Sequence, residues 1–428
     1  MTQKQNSTLP AIIVCILLFG MISFVTNLAS PMGKVLEAQF DVAEWMGKLG
    51  VLCNFIAYAI MGIPAGTLLQ KKGYKFTALT AVGVGFIGVG IQTIAGLLAG
   101  NLAFGVYLLG AFVAGFSMCM LNIVVNPMLN KLAGGGNRGN QLVQVGGSFN
   151  SLMGTATIML TGLLLGDIAK AQISQIFPLM YTALAIFALA FVVVLFTKIP
   201  ENPSVAAKAE EKSQYGPMSF RHFVLGAVAI FIYVGVEVGI PNLLNDWLID
   251  PNAVGISTAI AGMVTGTYWL LMLVGRLLGA ALGAKVSAKA MLATVSVVGL
   301  GLVAGAIFLD PAILVKMPVF DGPKGFTMAE VPINAALLVL CGLCTSVMWG
   351  GIFNLAVEGL GKYTEKGAGI FMAMVCGGGI LPFLQGIVVT ATKGNYLASY
   401  WVIAAGLLFL LYYALVGSKN VNKDIPTE

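Results

Sequence analysis

Apolar stretches of roughly helix-spanning length, separated by short polar runs, follow one another from residue 9 to residue 417. A membrane-spanning helix needs about 20 mostly apolar residues. The pattern predicts twelve, at 9–32, 47–70, 75–98, 102–129, 142–166, 174–198, 220–249, 256–284, 288–309, 333–358, 367–392 and 395–417. The first run is too long for a signal peptide and lacks a small-residue cleavage site before the next span, so it is expected to remain as a helix. The longest hydrophilic interruption, PENPSVAAKAEEKSQYGPMS (Pro200–Ser219), carries the Pro, Ser and mixed charge of a linker. It divides the chain into an N-terminal six-helix bundle (1–199), a cytoplasmic linker (200–219) and a C-terminal six-helix bundle (220–428).

Composition makes the solvent explicit. Hydrophobic residues are 58% of the 428 and charged residues 9%, against about 25% charged in a soluble domain. The fold class expected is an all-α membrane protein. With both termini inside, 17 of the 23 cations fall on the cytoplasmic side, leaving Lys34, Lys48, Lys170, Lys316, Lys324 and Lys393 outside. The net charge of +6 is thus an orientation signal, and no basic patch interleaved with aromatics suggests nucleic acid.

The two halves echo each other. A shift of 228 lays NPMLNKLAGGGNRG (Asn126–Gly139) over NLAVEGLGKYTEKG (Asn354–Gly367), so that Asn126 meets Asn354. A second echo pairs GIPAGTLLQKKGYK (Gly62–Lys75) with GRLLGAALGAKVSA (Gly275–Ala288), each with glycines four apart on one helix face and cations after them. A repeat at half-chain spacing is what a two-bundle transporter shows, and small residues at that spacing let helix backbones approach closely.

Polar groups inside the apolar runs are the candidate chemistry. Asn122 and Asn126 share a helix face in MLNIVVNP, with Pro127 directly after. A carboxamide in hydrocarbon costs several kcal/mol unless paired, so both are expected to face protein or a water-filled cavity. Asn supplies two donors and an acceptor with no charge to desolvate, which suits a polyhydroxylated neutral solute; an interhelical hydrogen bond is the alternative. Glu237 is the one carboxylate placed well inside a span, and an intramembrane acid is a functional candidate by default. Asp246 lies toward the outer end of the same stretch, beyond the helix-breaking Pro241, and reads equally as a gating or a solvated residue. Asn54, Gln92, Asn150, Thr265, Thr267, Asn354 and Gln385 complete the set, and Trp269 and Trp349 sit within spans, where a ring either stacks on a sugar or packs in the core.

The stretches IPAGTLLQKKGYK, LLGAFVAGFSMCMLNIVVNP and SFNSLMG, with AIFIYVGVEVGI, LVGRLLGAAL, FNLAVEGLGKYTEKGAG and ILPFLQG, resemble the fucose/galactose/glucose:proton symporter family of the major facilitator superfamily. The resemblance covers nearly the whole chain. It implies twelve helices in two bundles and a central sugar site that opens alternately to each side, with Asn150 in contact with sugar. It also exposes departures. Members carry an Asp on the first helix where this chain has Asn27, a Glu on the fourth where it has Asn122, and a Gln three residues before Asn150, where it has Gly147. Hydrogen bonding survives those changes; proton coupling through positions 27 and 122 does not.

The function expected is therefore secondary transport of a neutral monosaccharide, a hexose or deoxyhexose, across the inner membrane. Substrate contacts are expected at Asn27, Asn122, Asn126, Asn150, Trp269 and Asn354, and coupling to a proton or sodium at Glu237 or Asp246, with Asn27 near enough to help hold sodium. The alternatives are an uncoupled uniporter or a carrier of an N-acetylated amino sugar or polyol. The partners are the sugar and the lipid bilayer, with no nucleic acid, and a monomer is expected. Six cysteines in predicted helices and a single peripheral histidine, His222, offer no metal or redox site, no cofactor is expected, and GGGNRG lacks the context of a phosphate cradle. No catalytic constellation suggests an enzyme; two dissimilar halves argue against a pore; and the absence of any Arg at mid-depth argues against an organic-anion exchanger.

Overall fold

The computed structural model describes residues 9–40, 49–98, 100–165, 177–199, 215–321, 325–422 and 424–427. Without water to satisfy them, backbone amides and carbonyls in lipid must pair within each segment, and the apolar stretches accordingly form helices. α1 is Leu9–Phe40. The next element, Leu49–Ala95, runs through two crossings and breaks at Gly73, whose φ of 80° and ψ of 179° suit a residue without a Cβ; it gives α2 (49–72) and α3 (74–95). α4 is Gly100–Leu132, α5 Gly136–Leu165 and α6 Phe177–Phe196. α7 is Arg221–Ile249, α8 Thr258–Leu282 and α9 Ala288–Phe308.

α10 spans Ile333–Val357, in two pieces that meet at Ser346 and Val347. α11 spans Gly361–Ala391, with a tighter turn at Met374–Cys376, and α12 spans Tyr396–Gly417, ending in a π-helical turn. The twelve helices among the described residues place residue 9 and Gly417 on one side of the bundle, here the terminal side. The opposite side carries an antiparallel hairpin that the sequence pattern did not announce. Its strands, β1 (Leu314–Phe320) and β2 (Phe326–Pro332), pair Leu314 with Pro332 and Phe320 with Phe326. This is the hairpin side. The expected linker lies outside the described residues up to 214, and its last residues form a short 3₁₀ turn at Pro217–Ser219.

Burial sorts the helices by role. Every residue from Ser117 to Leu129 of α4 is buried, and so is Gly350–Val357 of α10, so these two helices occupy the centre. α6 exposes Leu189, Val192 and Phe196, as expected of a helix facing lipid.

Candidate functional site

The two carboxamides of α4 have separate roles. Asn122 donates from Nδ2 to the Tyr58 hydroxyl of α2 (2.9 Å) and to the Met118 carbonyl one turn back (3.1 Å). Asn126 is fully buried; its Nδ2 donates to the Asn122 carbonyl (2.9 Å), and its Oδ1 accepts the indole N–H of Trp349 from α10 (2.9 Å). Asn126 therefore joins the first six helices to the last six. Asn122, one turn nearer the hairpin side, keeps 8% exposure.

Glu237 lies a little past the middle of α7. Its Oε1 stands 3.2 Å from Nη2 of Arg276 on α8, with side-chain exposures of 14% and 11%. This corrects the expectation that no Arg reaches mid-depth. Arg276 sits near the terminal end of α8, but side chains tilt toward a helix's N-terminus, and α8 starts on the hairpin side, so the guanidinium is carried into the bundle. Its Nη1 donates to the Ser151 hydroxyl (2.7 Å) and the Gly147 carbonyl (3.0 Å) of α5, with Asn150 Oδ1 at 3.5 Å. Its Nε lies 3.4 Å from the Ser346 carbonyl of α10. Asn150 in turn donates to the Phe19 carbonyl of α1 (2.9 Å). One guanidinium thus ties α7 and α10 to α5. Gly147 makes room for it: a Cβ there would stand 3.6 Å from Arg276 Cδ, so a side chain as long as the family's Gln would contest that space.

Pro241 lacks the N–H that would bond the Glu237 carbonyl. The Tyr268 hydroxyl of α8 lies 3.1 Å from that carbonyl and 2.9 Å from Thr345 Oγ1 of α10. The kink is therefore satisfied from neighbouring helices, and it fixes α7 at the residue that carries the acid.

The other expected site residues are dispersed. Asp246 follows Glu237 by nine residues on α7, about 13 Å along the axis, so the structure does not bring the two acids together. Trp269 is 36% exposed and meets Tyr268 edge-on. Asn354 is buried on the terminal side, where its Oδ1 accepts from Asn130 Nδ2 (2.6 Å). Asn27 belongs to α1, and its side chain lies outside the described residues. Thr267 donates to Met263 and receives the Phe320 amide of the hairpin.

From this level toward the terminal side the two sets of helices are joined. Gln144 Nε2 donates to the Val347 carbonyl (2.9 Å) and Gln141 Nε2 to the Ala280 carbonyl (3.1 Å). Gly62 and Gly66 of α2 meet Gly369 of α11 backbone to backbone. Beside them Tyr74 donates to Glu365 (3.4 Å), a buried acid that sequence reading passed over, and Lys131 lies over the Tyr74 ring. Asn122, bonded to Tyr58 one turn before Gly62, and the Arg276–Glu237 pair, which reaches Gly147 and Ser346 beyond Gln144 and Val347, lie on the hairpin side of these contacts.

The chain matches the family model described as Major Facilitator Superfamily over residues 11–382. A glucose/galactose transporter of Brucella abortus biovar 1 (strain 9-941) is 28% identical over 425 residues, 98% of this chain and 97% of that protein. The L-fucose-proton symporter of Escherichia coli K12 is 21% identical, covering 98% of this chain and 95% of its own. Among solved structures, a Major Facilitator Superfamily transporter, FucP, in the outward conformation superposes with a TM-score of 0.77 at 19% identity, covering 96% of this chain and 99% of its own. Twelve helices among the described residues and a family-model match over residues 11–382 agree: the chain belongs to the Major Facilitator Superfamily, as a multi-pass membrane transporter rather than an enzyme.

Proposed function

We propose that the protein carries a neutral monosaccharide, a hexose or deoxyhexose, across a bacterial cytoplasmic membrane by alternating access, with cation coupling through Glu237. The observation that carries this reading is the charge balance of the site. Arg276 and Glu237 cancel, and around them stand the Asn150 carboxamide and the hydroxyls of Ser151, Tyr268 and Thr345, which suit a solute rich in hydroxyls and without net charge. The relatives named for glucose/galactose and L-fucose transport point to the same substrate class.

In this reading the terminal side is cytoplasmic, because Lys71, Lys72, Lys75, Arg138, Lys285, Lys289, Lys362 and Lys366 gather at the helix ends there. Sugar enters from the hairpin side and meets Asn122, Asn150 and Trp269. The seal then opens, and sugar leaves to the cytoplasm. The protein acts as a monomer, since one chain holds both halves of the path. A second reading, an uncoupled uniporter, draws on Asn27 and Asn122, which stand where the family carries acids, and on the engagement of Glu237 with Arg276.

Glu237→Gln separates the two, because it keeps shape and hydrogen bonding and removes the charge. In proteoliposomes a coupled carrier so altered retains sugar exchange between equal pools and loses gradient-driven accumulation. Undiminished accumulation refutes coupling at Glu237, and a wild-type protein that only equilibrates sugar is a uniporter.

A further inference from the structure

Arg276 holds a position that neither the charge pattern nor the relatives' names account for. It is a cation at the boundary between the two sets of helices, with bonds in both directions. Within its own set it pairs with Glu237 and approaches the Ser346 carbonyl; across the boundary it donates to Ser151 and to the Gly147 carbonyl, with Asn150 Oδ1 at the edge of reach. The α5 partners are a hydroxyl and a carbonyl, and neither bears charge. Closing α5 over Arg276 removes water from the guanidinium, and a desolvated cation needs a counter-charge as well as hydrogen bonds. Among the described residues, the carboxylate that supplies it is Glu237.

We propose that Arg276 is the positioning residue that makes closure of the terminal side conditional on the charge of Glu237. While Glu237 is anionic, α5 closes over a neutral pair and the seal holds. When Glu237 loses its charge, the sealed state buries an uncompensated guanidinium. Parting α5 from α8 lets water reach Arg276, so the equilibrium moves toward the state open to the terminal side. A proton is one way to remove the charge. It binds the carboxyl without any bond to sugar breaking or forming, and leaves on the side where the carboxyl is next exposed. The groups around Glu237 are consistent with a local device. α8 presents Arg276 and the Tyr268 hydroxyl, α7 presents Tyr233 one turn earlier, α10 contributes Thr345 and Ser346, and α5 contributes the neutral Asn150 and Ser151. The inference rests on the alternating-access reading and not on which sugar is carried.

The test measures conformation directly. Spin labels are placed at Asn137, before α5 enters the bundle, and at Lys366 on α11, both exposed on the terminal side, in a full-length protein whose six native cysteines have been replaced. Double electron–electron resonance in lipid nanodiscs then gives the distance distribution. Wild type at neutral pH is expected to show mainly the short, sealed population. Glu237→Gln is expected to raise the long-distance share at least tenfold relative to the short one, and the double variant Glu237→Gln with Arg276→Gln to return it to near the wild-type ratio, since no buried charge remains. Acidifying the wild-type protein supplies the same neutralisation without a substitution. It should lengthen the distance, and the double variant should respond far less, because Glu365 at the sealed contact is then the buried acid left to titrate among those described. A Glu237→Gln variant as sealed as the wild type, a wild-type protein that ignores acid, or a double variant as open as the single one, overturns the proposal. If the distances behave as stated while no sugar is taken up by the wild-type protein, the latch stands and the sugar assignment falls.

Discussion

Substituting the glycines where α2 meets α11 gives a graded handle on the sealed state. A Cβ at Gly62 would stand 2.7 Å from the Gly369 oxygen, one at Gly66 2.7 Å from Gly369 Cα, and one at Gly369 2.6 Å from the Gly62 oxygen. Ordinary contact begins near 3.4 Å, so one methyl requires the helices to part by the better part of an ångström. The obstacles are backbone atoms, which have no rotamer to escape into. Overpacking of this kind costs about 1–3 kcal/mol, and because it acts only where α2 and α11 touch, it falls on the sealed state. A bias of that size shifts a two-state equilibrium by about 5–150-fold. Gly66→Ala is therefore expected to raise the alkylation rate of a cysteine introduced at Asn354, buried within the joined region on the terminal side, by one to two orders of magnitude. Gly83→Ala on α3 is the control, since a Cβ there meets nothing within 4 Å. Equal alkylation rates in the two variants would refute the reasoning, because the sealed contact would then not limit access.

Asn122→Leu removes the donor to Tyr58 and with it the proposed contact to a sugar hydroxyl; on that proposal affinity is expected to fall by about 1–3 kcal/mol, read as a 5–150-fold rise in sugar KM, and an unchanged KM assigns Asn122 to helix packing. Gly147→Gln is expected to lower transport at least tenfold by displacing Arg276 from Ser151, whereas Gly147→Ala, whose Cβ has room, stays near wild type. Tyr268→Phe deletes the donor to the carbonyl that Pro241 leaves free, at about 1–3 kcal/mol of stability. It should lower the melting temperature in detergent, and the further substitution Pro241→Ala, which restores the helix's own bond, should recover most of the loss.

The crossings were legible in the sequence because lipid imposes one length and one composition on every helix, and the observed bounds fall within a few residues of the apolar stretches for α3, α6, α8, α9 and α12. The glycines four apart in GIPAG likewise read as a close helix approach, which Gly62 and Gly66 make against Gly369. The partner helix was not readable, since the contact joins residues about 300 apart. Arg276 was counted with the cytoplasmic cations because its position along α8 is near the terminal end. The side chain's direction, set by the helix's polarity, decides its depth, and a linear count of charges does not contain it. Asn126 and Asn354 matched in the half-chain echo, yet in space Asn126 pairs with Trp349 and Asn354 with Asn130. An internal repeat relates equivalent places in two bundles and does not say which residues touch. The hairpin went unseen because two seven-residue strands beside twelve long apolar stretches resemble a connecting loop, although DGPKG between VKMPVF and FTMAEV carries a turn signal.

The most direct test of the central claim is uptake of a panel of labelled monosaccharides, an N-acetylated amino sugar, a polyol and an organic anion into proteoliposomes of the purified full-length protein, with proton and sodium gradients imposed separately. Saturable uptake of a hexose or deoxyhexose, competed by its own unlabelled form and accumulated when one of the two gradients is present, is the expected result. No monosaccharide uptake under any gradient, with transport of the anion instead, would contradict it: Arg276 would then be receiving the substrate's charge, and its pairing with Glu237 would describe only the empty carrier.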